Sequence, residues 1–445
     1  MMKAYLSVLR IADYRKLWAG SLLSLLGDGA TWTALAWLAL TNGGTKALGV
    51  IGICYTLPVM IGGAVVGPML DRFSRRTLLV VDNVVRGIAV ASVPVAATTG
   101  HLPIGMLYLV AAVYGLFKIV PLGVVPAVVP DLVPKDRLQP AAALETIGYG
   151  VAGLAGPVIG GLLIPVIGGE GVLIIDAVSY GLFALLVLSM KSRLPRPVPD
   201  DSPGDSPGVV PVGTGHGWMP ALRLLRGDRV LIAIILSFMA FNFVFGMLTV
   251  TTPWLVKFEF GDHPELLGLL LAVLSGAELI GSFAGGMLKP VDRTMLRMGL
   301  LQICAGLGLL FLFARSLPAV LLGLLVLGVL SGPVTVSSMA LRMSRIPAMV
   351  RGRTMTLMRT LMNASPPLGA AIAGLLLSAG SYTGAVWVMV LAATTPGVLV
   401  ALAYRNTSFA PPAPPAPAAT PALAAPPATP ATATPAAPPL VPAEP

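Results

Sequence analysis

The sequence predicts an all-α integral membrane protein, with twelve transmembrane helices in two pseudo-symmetric six-helix bundles. Three observations predict it. The 445 residues are 56% hydrophobic and only 11% charged, whereas soluble domains carry roughly 25% charged residues. Apolar runs long enough to cross a bilayer, which takes about 20 residues as a helix, recur along the chain. The two halves also repeat. Adding 213 to Pro134, Gly156, Gly161 and Leu162 gives Pro347, Gly369, Gly374 and Leu375, at matching places in two similar stretches. A duplicated apolar chain of this kind points to a transporter whose working site lies between its halves.

The twelve spans are 17–40, 48–69, 77–97, 103–129, 140–166, 171–190, 230–252, 266–288, 294–314, 318–341, 354–378 and 384–403. They are helices because a bilayer admits only helices or closed barrels, and these runs are continuous rather than alternating. Four regions follow. Residues 1–190 form an N-terminal six-helix bundle and 230–405 a C-terminal one. Residues 191–229 form a cytoplasmic linker, rich in Pro, Gly, Asp and Ser from Pro199 to Gly217. It closes with a short amphipathic helix from Trp218 to Arg226. Residues 406–445, almost all Pro, Ala and Thr from Ala410 onward, form a tail that cannot build a core and is expected to be disordered.

Of the 29 Lys and Arg, Lys46, Lys257 and Arg315 fall in loops of one set, and Arg86, Lys118 and Arg359 lie within spans. All the others fall at the termini, in the opposite set of loops or beside them. This asymmetry places both termini in the cytoplasm of a multi-pass protein of the inner, plasma membrane. The net charge of +10 therefore reflects topology, not nucleic-acid binding. Cys54 and Cys304 lie in opposite halves and are read as small core residues. His101, His216 and His263 show no ligand spacing, so no metal and no cofactor is expected; the proton motive force is the energy source. The expected partners are a small-molecule substrate and the lipid bilayer, around a monomer.

Between spans two and three lies Gly67-Pro68-Met69-Leu70-Asp71-Arg72-Phe73-Ser74-Arg75-Arg76. It resembles the loop signature Gly-x-x-x-Asp-Arg-x-Gly-Arg-Arg of the major facilitator superfamily, with Ser74 in place of the second glycine. Physically it is a cytoplasmic latch. Asp71 can meet the positive N-terminus of a helix in the other half, and Arg72, Arg75 and Arg76 can pair with Asp131. In the second half Lys289 stands where Asp71 would, so that latch is degraded. Span five carries Gly153, Gly156, Pro157, Gly160 and Gly161, similar to the signature of the superfamily's antiporters, which are mostly exporters. Ser24 to Asp28, Asp82 to Arg86 and Ile175 to Tyr180 are similar to the enterobactin-exporter-like and macrolide-efflux-like branch. That resemblance implies the major facilitator fold, alternating access and proton-driven efflux of amphipathic compounds.

An ionisable residue at the bilayer centre costs about 2.5–3.5 kcal/mol on insertion scales, so each one calls for a role. Asp28 in span one and Lys118 in span four are expected to face the central cavity that the resemblance implies, and each other. The repeat carries Asp28 to Asn242 and Lys118 to Ser331, so charge is kept only in the first half. Asp28 is the leading candidate for the coupling proton, and Glu278 in span eight the second. Glu145 is expected near Arg359, Asp82 and Arg86 as a local i,i+4 pair, and Asp176 as structural. Trp32, Trp37, Phe238, Phe241, Phe243 and Phe245 are candidate pocket aromatics, with Met239 and Met247 beside them.

The expected function is export of small amphipathic compounds by proton antiport. A superfamily importer, a lipid or lysophospholipid flippase, and a transport-inactive membrane sensor are the alternatives. The chain has no Gly-x-x-x-x-Gly-Lys-Ser/Thr loop for an ATPase and neither His-Glu-x-x-His nor Gly-x-Ser-x-Gly for a hydrolase. Leu25 stands where the Gly-x-Gly-Asp motif of intramembrane aspartyl proteases needs glycine, so no enzyme is expected.

Overall fold

The computed structural model describes residues 2–100, 102–192, 219–287 and 293–406. Lys289, the stretch 199–217 and the tail 410–445 lie outside the described residues, as do the side-chain surroundings of Gly67, Asp71 and Arg72. All regular structure among the described residues is helical.

Among the described residues, ten apolar helical stretches are long enough to cross a membrane. Two of them, Ala12–Arg72 and Leu138–Leu188, are pairs of rods joined through a glycine. Gly44 has φ 68 and ψ −166, and Gly168 has φ 74 and ψ 167, a region that only glycine occupies without strain. The chain turns back on itself there, which gives twelve rods. Spans one and two are 12–43 and 45–72, and spans five and six are 138–167 and 169–188. Span three is Arg75–Ala97, seven Arg229–Phe258, eight Pro264–Met287, ten Leu317–Arg345 and twelve Tyr382–Tyr404. Span nine, 294–314, ends in a 3-10 turn, Leu309–Ala314.

Spans four and eleven are broken, and proline explains both breaks. Span four divides into Ile104–Phe117 and Ile119–Leu132 at Lys118. Pro121 lacks an N–H, and its ring crowds the carbonyl of Phe117. Span eleven divides into Ala348–Met362 and Pro366–Ser378, just before Pro366 and Pro367. The amphipathic helix predicted at the end of the linker is Met219–Gly227. It buries Ala221 and Leu225, one turn apart. The Asp228 side chain then caps span seven by accepting from Val230 N at 2.8 Å and Leu231 N at 3.3 Å. Cys304 is exposed on the outside of its helix, not in the core as expected.

The sequence repeat is a repeat of contacts. In the first half, Gly156 of span five packs on span one so closely that a Cβ there would lie 3.0 Å from Gly29 Cα. In the second half, Gly369 of span eleven packs equally closely on Phe243 and Met247 of span seven. The contacts between the bundles repeat as well. A Cβ on Gly161 would lie 2.9 Å from Gly268 Cα of span eight, and a Cβ on Gly374 2.7 Å from Gly49 Cα of span two. Gly161 and Gly374 are the two repeat-related residues. Both contacts lie at the helix ends remote from the chain termini, where Lys257 of span seven also sits 5.3 Å from the Trp37 ring centroid of span one. Nearer the middle, the bundles meet through longer side chains, Leu279 on Gly150 and Leu154 on Gly276.

Gly374→Val places carbon where the Gly49 backbone already lies, and overpacking of this kind is relieved by backbone movement. The distance between nitroxide labels at Asn42 and Thr383, read by pulsed EPR, is expected to lengthen in this variant. It should stay unchanged in Gly153→Ala, where a Cβ meets nothing within 4 Å.

Candidate functional site

Spans one, three and six each bring a charge to one point inside the N-terminal bundle. Asp28 is 6% exposed, and Asp82, Arg86 and Asp176 are fully buried. Asp82 and Arg86 are one helical turn apart, and Arg86 Nη2 donates to Asp82 Oδ2 at 2.6 Å. Arg86 Nη1 reaches across to span one and donates to Asp28 Oδ1 at 3.0 Å. Tyr180 Oη donates to the same Asp28 oxygen at 2.6 Å, and its ring centroid lies 4.5 Å from the guanidinium carbon. Tyr114 Oη of span four donates to the Asp28 carbonyl at 2.8 Å. Asp176 accepts from Thr31 Oγ1 at 2.5 Å and from Ser179 Oγ at 2.9 Å.

Helical periodicity makes the arrangement. Asp28 and Thr31 share one face of span one, and Asp176, Ser179 and Tyr180 share one face of span six. The faces meet because Gly27 has no side chain; a Cβ there would overlap the Asp176 carboxylate. Gly156 and Gly160 of span five pack on the far side of the same turn, against Leu26, Gly29 and Ala30, and Gly29 in turn leaves room for Pro157. Gly161 turns away to the other bundle, and Gly153 packs on nothing. The antiporter-like signature is thus split between seating Asp28 and joining the bundles. Buried charges persist only when paired and hydrogen-bonded, yet Asp82 Oδ1 and Arg86 Nε have no hydrogen-bond partner among the described residues.

Several expectations are corrected. Asp28 does not meet Lys118; its cation is Arg86, whose planar fork serves Asp28, Asp82 and Tyr180 at once, as a lysine ammonium cannot. Lys118, at the break of span four, donates to Tyr55 Oη at 2.6 Å. Tyr55 stacks between Trp32, at 4.5 Å, and Tyr114, at 5.6 Å. An aromatic ladder therefore runs from the half-buried Lys118 to the buried Asp28 backbone. Asp82 and Arg86 form the local pair expected of them, but the guanidinium is shared more widely than that.

Asn242 and Ser331, the repeat partners of Asp28 and Lys118, are engaged with backbone. Pro366 leaves the Met362 carbonyl without its helical donor, and Asn242 Nδ2 donates to it at 2.9 Å. Ser365 in the same break donates to the Met239 carbonyl at 2.6 Å. Ser331 donates to Gly328 O on its own helix at 2.9 Å. Glu145 and Glu278 are half-buried, with no hydrogen bond or ion pair among the described residues.

In the loop after span two, Arg75 pairs with Asp131 and donates to Ala127 O at 2.8 Å. Arg76 does not join them. It donates to the Met190 and Ser192 carbonyls, tying span three to the end of span six. Ser74, the departure from the superfamily loop, is the N-cap of span three and accepts from Thr77 N at 3.1 Å. Asp13 went unnoticed in the sequence. It accepts from Ser192 N at 2.7 Å and Ser192 Oγ at 2.6 Å, which anchors span one to the end of span six.

Breaking a buried pair by removing one partner typically costs about 3–5 kcal/mol. Arg86→Met is therefore expected to melt well below the wild type in detergent. Adding Asp28→Asn should recover part of the loss, and zero coupling in that cycle would show that the two do not act together. Asn242→Ala strands a buried carbonyl, at about 1–3 kcal/mol, and should also lower the melting temperature. An unchanged value would mean the break of span eleven stands without it.

The sequence profile described as Major Facilitator Superfamily matches residues 17–348 and again 243–440. The multidrug efflux pump Tap of Mycobacterium tuberculosis is 26% identical over 421 residues, covering 88% of this chain and 94% of the relative. Macrolide efflux protein A of Streptococcus pyogenes is 21% identical over 281 residues, covering 63% of this chain and 67% of the relative. A crystal structure of a bacterial homologue of the iron transporter ferroportin, in an inward-facing state, aligns with TM-score 0.69 at 15% identity. It covers 90% of this chain and 99% of that one. A bacterial homologue of the human lysosomal transporter Spinster, also inward-facing, aligns with TM-score 0.67 at 14% identity over the same shares. With twelve rods in two repeated bundles and a profile match over most of its length, the chain belongs to the major facilitator superfamily of multi-pass membrane transporters.

Proposed function

We propose that this transporter exports small amphipathic compounds from the cytoplasm by proton antiport with alternating access. The observation that carries the reading is the buried cluster of Asp28, Asp82, Asp176 and Arg86. Three carboxyls lie around a single guanidinium, which pairs with two of them, Asp28 and Asp82, and the nearby Lys118 is engaged with Tyr55. Ionising all three in a low-dielectric interior is costly, so the cluster is suited to hold a proton and release it. Asp28 is the residue through which that proton couples, because it alone in the cluster keeps some exposure and touches spans three, four and six. The relatives named as efflux pumps support the direction.

The contacts between bundles support the cycle. Glycines close them at the ends remote from the termini. With both termini cytoplasmic, as the Lys and Arg distribution favours, that is the outer side, and the substrate enters from the cytoplasm. Two bundles that meet on backbone at one end and on longer side chains near the middle are built to rock as bodies about that contact. The protein would sit in the inner membrane as a monomer, need no bound cofactor and draw on the proton motive force.

Everted membrane vesicles with an acid lumen test this reading. Adding amphipathic antibiotics or dyes is expected to drive protons out of the lumen, and Asp28→Asn should reduce that flux to the rate of vesicles lacking the protein. Absence of compound-driven proton movement in wild-type vesicles shown to hold folded protein would overturn proton-coupled export. Attention would then pass to uptake or to lipid substrates.

A further inference from the structure

Asp28 is well provided for as an anion, with a guanidinium at 3.0 Å and a phenol at 2.6 Å. Asp82 has the same guanidinium at 2.6 Å. Asp176 differs from both. It is fully buried and makes no ion pair among the described residues. Its two oxygens meet only neutral hydroxyls, Thr31 at 2.5 Å and Ser179 at 2.9 Å. We propose that Asp176 is a second proton-binding residue of the transporter, and that it, rather than Asp28, holds the proton in this conformation. Its part in transport rests on the antiport reading above.

The chemistry follows from the partners. A carboxylate without a cation is the costliest ionised group to bury, and taking up one proton removes its charge. The acid then has one O–H to place, and Thr31 Oγ1 at 2.5 Å and Ser179 Oγ at 2.9 Å are both within hydrogen-bond reach of it. The charged and titratable groups around Asp176 are Asp28 of span one, Arg86 of span three, Tyr114 of span four and Tyr180 of span six. Arg86 spends its two terminal nitrogens on Asp28, Asp82 and Tyr180.

Asp176 and Asp28 are also joined through their neighbours. Tyr180, one turn beyond Asp176, carries the hydroxyl that donates to Asp28, and Thr31, one turn beyond Asp28, carries the hydroxyl on Asp176. Loss of the proton would set a second carboxylate, this one without a cation, beside that of Asp28. Like-charge repulsion would then favour parting span one from span six at Gly27, where the helices are closest. The proton on Asp176 thus acts as a clasp between two helices of the bundle, and its release loosens Asp28.

Infrared spectra of the purified full-length protein in lipid nanodiscs read protonated and ionised carboxyls separately. Subtracting Asp176→Asn from the wild type at neutral pH is expected to leave a protonated-carboxyl band. Subtracting Asp28→Asn should leave only carboxylate bands. Thr31→Val keeps the Asp176 carboxyl and removes its hydroxyl partner, so the same band should move to higher wavenumber. Carboxylate bands in the Asp176 difference, or a protonated band in the Asp28 difference, would overturn the assignment. The spectra do not depend on transport. If wild-type vesicles move no protons with any compound, the antiport reading fails while the protonation of Asp176 is still decided on its own.

Discussion

Inside a bilayer no water meets a backbone carbonyl or a buried charge, so each must find its partner within the chain. Much of this molecule answers that one constraint. Proline breaks in spans four and eleven release carbonyls, and in span eleven the Asn242 amide takes up the one at Met362. The C-terminal end of span six is held by Asp13 and Arg76, and the start of span five by Tyr14 on the Ala141 carbonyl and Trp18 on the Leu144 carbonyl. Arg86 meets the same constraint at the centre of the bundle. Each such partner is also a tie between helices, so satisfying the backbone and fixing the bundle are the same act.

Lipid tails give apolar helices no hydrophobic reason to associate with one another, and close packing of small residues supplies it instead. That is why the glycine positions carry the duplication. Gly156 and Gly369 seat equivalent helices within their bundles, and Gly161 and Gly374 seat equivalent helices between them. A repeat kept at points where only glycine fits stays legible in the sequence, while the lipid-facing residues around it are free to drift.

Fold and spans were legible for this reason. Hydropathy marks the rods, and glycine spacing marks their contacts. The reach of a side chain across helices was not legible. The expectation that Asp28 and Lys118 meet rests on their mid-span positions in two helices that the resemblance to the superfamily sets around the central cavity. The choice of Arg86 depends on how spans one, three and six are rotated about their axes, which hydropathy does not encode. In the structure Asp82 takes one arm of the Arg86 guanidinium and Asp28 the other, a division that no residue pattern in the sequence marks. Asn242 misled in the opposite sense. The repeat equated it with Asp28, but two prolines later in span eleven had already claimed its amide.

The halves have therefore diverged in a particular way. The first half keeps buried charge and an uninterrupted span five over it. The second half has no counterpart to the cluster among the described residues, and a hydrogen-bonded break stands at the equivalent helix. In the proposed cycle, a pseudo-two-fold molecule with its buried charge cluster on one side would change charge in that bundle while the other moves against it. The backbone contacts at Gly161 and Gly374 are where that motion must pass, because they are the points at which neither bundle has a side chain to yield. Under the antiport proposal, charge inside one bundle and backbone contact between the two are complementary parts of one device.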